Sequence, residues 1–225
     1  MSFPFAVFDI DGTLVDSRAM ITACMDAAFV DAGLPPPGYE RIRRVIGLSL
    51  NGGLQYLAPD ADEALRARII DSYRAAFFKM RSDPALASPL YEGAANLLSH
   101  LAQTGWVLGI ATGKSRRGLD AMIEQFGWQD LFATSWCADD GPGKPHPHMV
   151  LENIRAVSAD PTRTLVIGDS EHDMAMAVAA GTTAFGVSWG FGTRAEMMAA
   201  GATCVMDTMD GLKASLDAFG NTHAI

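Results

Sequence analysis

The sequence predicts an α/β protein: a doubly wound parallel sheet interrupted, after its first strand, by an all-helical insertion. Three observations predict this. Phe5-Ala6-Val7-Phe8 is an apolar run with aromatic and β-branched members, as expected of a strand buried on both faces. From residue 92 onward, strand-like and helix-like segments alternate with short connections, the pattern of a parallel sheet covered on both sides. Between the two lies a stretch of about 70 residues with helical periodicity and no strand.

The elements follow in order. After the first strand, residues 18–32 carry Met20, Ile21, Cys24, Met25, Ala28 and Phe29 at helical spacing. Cys24, Met25 and Phe29 read as the core of the insertion, not as a cofactor contact. Gly33 and the run Leu34-Pro35-Pro36-Pro37-Gly38 stop that helix. Residues 39–46 form a short helix candidate, and 47–53 a flexible loop or helix start. Residues 61–80 predict a long helix with Leu65, Ile69, Tyr73, Ala76 and Phe77 along one core-facing stripe. Strands are then expected at 106–111, 131–136, 164–167, 183–187 and 203–206. Helices are expected at 92–103, 115–126, 147–157, 171–180, 193–200 and 212–218. The domain division expected is residues 1–15 with 85–225 as the core and 16–84 as the insertion.

Composition narrows the function classes. The 225 residues are 49% apolar, enough for a sizeable core. Net charge is −9, which argues against a nucleic-acid partner, since phosphate backbones need a basic footprint. The charge is uneven: residues 16–83 hold nine basic and nine acidic side chains, and the rest hold eight and seventeen. Two units with different jobs are the expectation. The apolar stretch at 175–191 is broken by glycines, threonines and a serine, so it reads as helix, turn and strand, not as a membrane span. No cationic, apolar leader is apparent at the N-terminus. Cys24, Cys137 and Cys204 are odd in number and far apart, which suits a reducing cytosol better than a disulfide framework. A cytoplasmic protein without a membrane partner is expected.

In parallel sheets, reactive groups gather beyond the C-terminal ends of strands. The first strand ends in Asp9-Ile10-Asp11-Gly12-Thr13. Two carboxylates one residue apart can crowd one small space, at a cost that a hard cation such as Mg²⁺ offsets. Asp-Gly is equally a common turn pair. The second strand ends in Thr112-Gly113-Lys114-Ser115 at a helix start, either an anion site or a plain cap. The third precedes Gly143-Lys144-Pro145, where the lysine has little room to wander, although it could be an ordinary solvated loop lysine. The fourth ends in Asp169-Ser170-Glu171-His172-Asp173, where Asp169 and Asp173 stand four apart, an acidic helix start that the dipole alone would favour. Taken together, the four ends supply what phosphoryl transfer needs: a carboxylate nucleophile, a second acid, metal carboxylates, a hydroxyl and a cation.

With these residues assembled, the chain resembles the haloacid-dehalogenase-like phosphohydrolase superfamily, in the branch with a helical cap after the first strand. The likeness spans nearly the whole chain and rests on Asp9-Ile10-Asp11-Gly12-Thr13-Leu14-Val15-Asp16-Ser17 and its ordered company. Trp189-Gly190-Phe191-Gly192-Thr193 and Ala199-Ala200-Gly201-Ala202 are similar to the phosphoglycolate-phosphatase-like group. The resemblance implies a Rossmann-like core and a Mg²⁺-dependent phosphomonoesterase acting on a small anionic phosphate ester, phosphoglycolate being the first to try. It implies Asp9 as the nucleophile that becomes an aspartyl-phosphate, and Asp11 as the acid and then the base. Thr112 and the Gly113 amide would hold the phosphoryl group, and Lys144 would neutralise charge. The metal would sit among Asp9, the Asp11 carbonyl, Asp169 and Asp173. One departure stands out: His148 occupies a position where the family usually has an acid, so a changed helix cap with intact catalysis is expected.

A neutral lid over an acidic site can exclude water and attract an anion. Arg44, with Ser49 or Asn51, is the candidate for contacting the substrate beyond its phosphate; an ordinary solvated face is the competing reading for Arg44. Rival activities are an inorganic pyrophosphatase, a nucleotide or sugar-phosphate phosphatase, and a phosphosugar mutase. A receiver-like signalling module also combines acids, Thr and Lys-Pro on a parallel sheet, but it would lack the insertion and would carry its phosphoacceptor on the third strand. A monomer or a homodimer fits the sequence equally well.

Overall fold

A computed structural model describes residues 3–222; the outermost residues of the expected core, 1–2 and 223–225, lie outside the described residues. Strand β1 (Phe5–Phe8) is followed by four helices: α1 (Arg18–Asp31), α2 (Tyr39–Ile42), α3 (Leu50–Leu57) and α4 (Glu63–Met80). After a 3₁₀ turn at Pro84–Leu86 come α5 (Ala94–Gln103), β2 (Val107–Thr112), α6 (Arg116–Phe126), β3 (Thr134–Cys137) and α7 (His148–Val157). A second 3₁₀ turn, Pro161–Arg163, leads to β4 (Thr164–Gly168), α8 (Glu171–Ala179), β5 (Thr183–Val187), α9 (Arg194–Ala199), β6 (Cys204–Met206) and α10 (Met209–Thr222).

The six strands form one sheet in the order β3-β2-β1-β4-β5-β6, and every pairing is parallel. The expected doubly wound α/β core is therefore borne out. The chain leaves β1 toward β2 and β3, then crosses to β4 on the other side. That puts a topological switch point beside β1, where such sheets bind ligands. Phe8 is level with Ile110 of β2 and Ile167 of β4, so Asp9, Thr112 and Asp169 emerge at one edge.

Alternation along the strands fills two layers. Ala6, Phe8, Leu108, Ile110, Leu165 and Ile167 pack on one face, under α5 and α10. Phe5, Val7, Ala111 and Val166 pack on the other, against α7 and α8. Burial on both faces explains why these strands read as continuous apolar runs.

The helical segment has its own cluster: Met25, Phe29, Ile42, Leu54 and Ile69 are buried together. One residue from the sheet side, Phe191, joins it. The segment departs from the expected helices in two places. Helix α2 ends at Ile42, and residues 43–48 form turns. Helix α3 begins where Ser49 accepts a hydrogen bond from the Gly52 amide at 3.1 Å, a side-chain cap that fixes its start. The long helix α4 meets its expected role in part: Ile69 is fully buried and the half-buried Leu65 and Tyr73 pack against the same cluster, while Phe77, also half-buried, does not join it.

Boundaries in the sheet region shift by a few residues. Leu131 and Phe132 belong to a turn packed on Trp128, so β3 starts only at Thr134. The closing helix α10 is longer than its apolar centre because Leu212, Leu216 and Phe219 anchor it against the sheet. Among the described residues, no helix is long and apolar enough to cross a membrane.

Candidate active site

At the C-terminal edge of the sheet, four charged side chains are removed from water. Asp9 and Asp169 are each 1% exposed, Asp173 is fully buried and Lys144 is 4% exposed. The Lys144 Nζ lies 2.6 Å from Asp9 Oδ1 and 2.6 Å from Asp173 Oδ1. Oxygens of Asp9, Asp169 and Asp173 all lie within 4.8 Å of one another.

Each group is held in place by its surroundings. Asp169 follows β4, accepts the Thr13 hydroxyl at 3.1 Å on one oxygen and the Phe191 amide at 2.7 Å on the other. Gly12, at φ +83°, lets the chain turn against this carboxylate; a Cβ there would strike Asp169 Oδ2. Asp173 is the third residue of α8 and closes a capping box: its carboxylate accepts from the Ser170 amide and hydroxyl, while its own amide donates to Ser170 Oγ. The capping box and the ion pair with Lys144 together place Asp173.

The loop carrying Lys144 is tied down at both ends. Asp140 accepts the Cys137 amide at 2.8 Å and pairs with Arg116, whose own amide donates to Asp139 at 2.8 Å. His148 opens α7, whose N-cap residue Pro147 offers no side-chain cap, and the His148 amide donates to His146 Nδ1 at 3.1 Å. The His148 ring Nε2 meets the Asp140 carbonyl at 3.1 Å, bracing the same loop.

Burial and crowding shift the ionisations. Desolvation raises the Asp9 carboxyl to about 7, helped by the nearby Asp173 and Asp11 charges and opposed by Lys144. Burial, with Asp173 and Asp9 beside it, also pushes Asp169 well above the carboxylate range, against the Phe191 amide and Lys144. Burial disfavours the Lys144 ammonium, but the Asp173 and Asp9 charges outweigh it, and its pKa rises. So one lysine does not neutralise the cluster, and it is short of positive charge.

That shortage is the test of a metal. Asp9 Oδ2 is buried and accepts no hydrogen bond. Three carboxylates supply hard oxygen ligands, the chemistry that Mg²⁺ selects. The residues fit a divalent cation, with Asp9, Asp169 and Asp173 as the ligand set.

The remaining predicted residues divide. Thr112 is fully buried at the end of β2, and its hydroxyl accepts the Lys114 amide at 3.3 Å. Ser115, not Thr112, caps α6, accepting the Gly118 amide at 3.3 Å. A cavity of about 750 Å³ opens above this edge, and Asp11, Gly113, Ser49 and Asn51 all line it. Arg44 does not line that cavity: its side chain is exposed, and its carbonyl accepts from His172 at 3.0 Å. The chain turns after Ile42 and leaves the Arg44 side chain exposed, outside the residues that line this cavity. Arg43 points the other way and donates to the Phe191 carbonyl at 3.3 Å.

Sequence reasoning missed several residues here. Lys114 pairs with Asp11 at 2.9 Å, and its signal was a lysine directly after the Thr-Gly strand end. Thr13 lay in the Asp-x-Asp-Gly-Thr run without a role. Gly113 also serves as a contact point. A Cβ there would collide with the Gly47 and Leu48 carbonyls, so the insertion's loop rests directly on the end of β2.

A family model described as haloacid dehalogenase-like hydrolase matches residues 6–187. The chain belongs to this family, and it is a phosphatase of that family. It is 33% identical over 225 residues to a Dickeya dadantii protein named "Probable phosphatase IndB", covering 99% of this chain and 94% of the relative. It is 30% identical over 193 residues to a phosphoglycolate phosphatase of Xanthomonas campestris, covering 85% and 86%. Among solved structures, a hydrolase from Pseudomonas syringae superposes with a TM-score of 0.85 at 25% identity, covering 96% of this chain and 98% of the other.

Proposed function

We propose that the protein is a Mg²⁺-dependent phosphomonoesterase that hydrolyses a small organic phosphate through a phosphorylated Asp9. The observation that carries this reading is the Asp9 carboxylate: one oxygen held at 2.6 Å by Lys144, the other buried and unbonded. A carboxylate so fixed has one oxygen free to attack.

A carboxylate oxygen of Asp9 attacks phosphorus in line, a bond forms from it to phosphorus, and the bond from phosphorus to the ester oxygen breaks. Asp11 gives its proton to the departing oxygen and becomes a carboxylate. It then takes a proton from water, whose oxygen attacks the phosphorus and frees Asp9 and inorganic phosphate. Lys144 fixes the nucleophile and neutralises developing charge. Thr112 and the Gly113 amide hold the phosphoryl oxygens. Asp9, Asp169 and Asp173 would hold Mg²⁺, which when bound would offset charge between the carboxylates and the phosphoryl group. Residues 16–84 act as a lid over a core of residues 1–15 and 85–225. Phosphoglycolate is the first ester to test, since a relative bears that name.

The test is phosphate release from a panel of esters with and without Mg²⁺, for the native chain and Asp9→Asn. Turnover that requires Mg²⁺ and falls by about 10³-fold or more in the variant is expected. No metal-dependent release from any ester, or an unaltered rate in the variant, rejects the assignment.

A further inference from the structure

We infer that the ester's leaving group is larger than glycolate, with an apolar body and a second negative charge beyond it. This rests on the phosphomonoesterase reading and names its substrate class.

The cavity above the acid Asp11 has a volume of about 750 Å³. Sites of about 300–1,000 Å³ enclose drug-sized ligands. Glycolate, with two carbons and three oxygens, has the bulk of roughly five waters at about 30 Å³ each. It would leave most of the space to solvent.

The wall is apolar where it need not be. One face of α4 turns Ile70, Tyr73, Phe77 and Phe78 into the cavity, at the spacing of a helix stripe. Ile70 and Tyr73 also rest on the insertion's cluster, but Phe77 and Phe78 do not join it, and Ile69 alone on this helix is fully buried. Met25 and Ile42, buried in the insertion's cluster, complete the wall. A ligand with an apolar or flat body is what removes this surface from water.

The mouth is cationic. Arg81, just past α4, places its Cζ 4.2 Å from the centroid of the Phe78 ring, and Arg117 of α6 places its Cζ 6.0 Å away. Phe78 is 56% exposed. Both arginines line the cavity and, among the described residues, neither pairs with a carboxylate. Two guanidiniums, one just past α4 and one on α6, converge on one ring without an ion-paired acid and suit a planar anion such as a carboxylate. Phosphoglycolate offers the anion but lacks the body that would carry it to the mouth.

The experiment compares kcat/KM of the Mg²⁺-loaded enzyme for four esters: 4-nitrophenyl phosphate, phosphoglycolate, 1-naphthyl phosphate and 6-phosphooxy-2-naphthoate. The naphthoate ester is expected to exceed phosphoglycolate by at least about tenfold, with naphthyl phosphate between them. The pair Arg81→Met with Arg117→Met should lower the naphthoate ester at least about tenfold more than naphthyl phosphate. Phe77→Ala should lower both aryl esters more than phosphoglycolate. Phosphoglycolate matching or exceeding the naphthoate ester, or arginine variants that lower both aryl esters equally, overturns the inference while leaving the phosphomonoesterase standing. Absence of release from all four esters overturns both.

Discussion

The charged cluster at the strand ends of the sheet and the inner wall of the helical insertion are built on opposite terms. Asp9, Asp169, Asp173 and Lys144 are nearly devoid of exposed surface and held by ion pairs, amides and a capping box. Tyr73 and Phe77 are half-buried, while Phe78, Arg81 and Arg117 stand open to water. The difference separates two roles. Chemistry needs reacting groups fixed to a fraction of an ångström, so the sheet buries them. Selecting a leaving group needs surface still available for burial, and on α4 Phe77 and Phe78 supply it, outside the insertion's cluster that Ile70 and Tyr73 join. The two regions are stitched together by Phe191, whose ring packs into the insertion's cluster while its amide holds Asp169.

Four measurements probe that contrast. The largest effect belongs to Lys144→Met, which strands Asp9 and Asp173 as buried carboxylates without their cation. A loss of about 3–5 kcal/mol in urea unfolding is expected, together with loss of turnover. Stability equal to the native chain would mean that the carboxylates neutralise one another by sharing protons.

Gly113→Ala acts at the seam between the two regions. The new methyl meets the Gly47 and Leu48 carbonyls, so the insertion must lift. Since a displacement of about 1 Å costs on the order of 10²-fold in rate, kcat/KM should fall by about that factor, with thermal unfolding changed far less. An unchanged rate would show that turnover proceeds with the insertion already raised.

The third measurement is pH dependence without and with metal. Asp9 and Asp169 are raised in the folded chain, so the protein binds more protons folded than unfolded. The stability this provides is fully present below the unfolded carboxylate value of about 3.9 and is lost as pH rises through about 7, the folded value of Asp9. The metal-free protein should therefore melt at least about 2 °C lower at pH 8 than at pH 5.5, and saturating Mg²⁺ should remove most of that drop. A melting temperature indifferent to Mg²⁺ at pH 8 counts against the carboxylate ligand set.

The smallest effect is expected at Arg44→Ala. Its side chain is exposed and away from the cavity, so stability should stay within about 0.5 kcal/mol and kcat/KM within about twofold for every ester. A selective loss on carboxylate-bearing esters would return Arg44 to the site.

Local pattern along the chain was enough to specify the sheet and its reactive edge. A strand has period 2 and is only a few residues long, so Phe5 to Phe8 announce both faces, and the residues that follow must sit at the edge. Asp9, Asp11, Thr112, Lys144, Asp169 and Asp173 were legible because each closes or directly follows a strand, opens the helix after it, or sits in the loop between. What lies opposite that edge was settled by packing in three dimensions. The stripe on α4 was legible as apolar, but periodicity is a property of one helix and does not say whether a core or a cavity faces it. Arg44 and Arg43 are adjacent in sequence, and only the turn after Ile42 sends one into solvent and the other to Phe191. Lys114 and Asp11 pair across two strands, and Arg81 and Arg117 meet Phe78 from two units. Such meetings depend on how the insertion seats on the sheet, a free-energy balance summed over many residues that no local pattern in the chain displays.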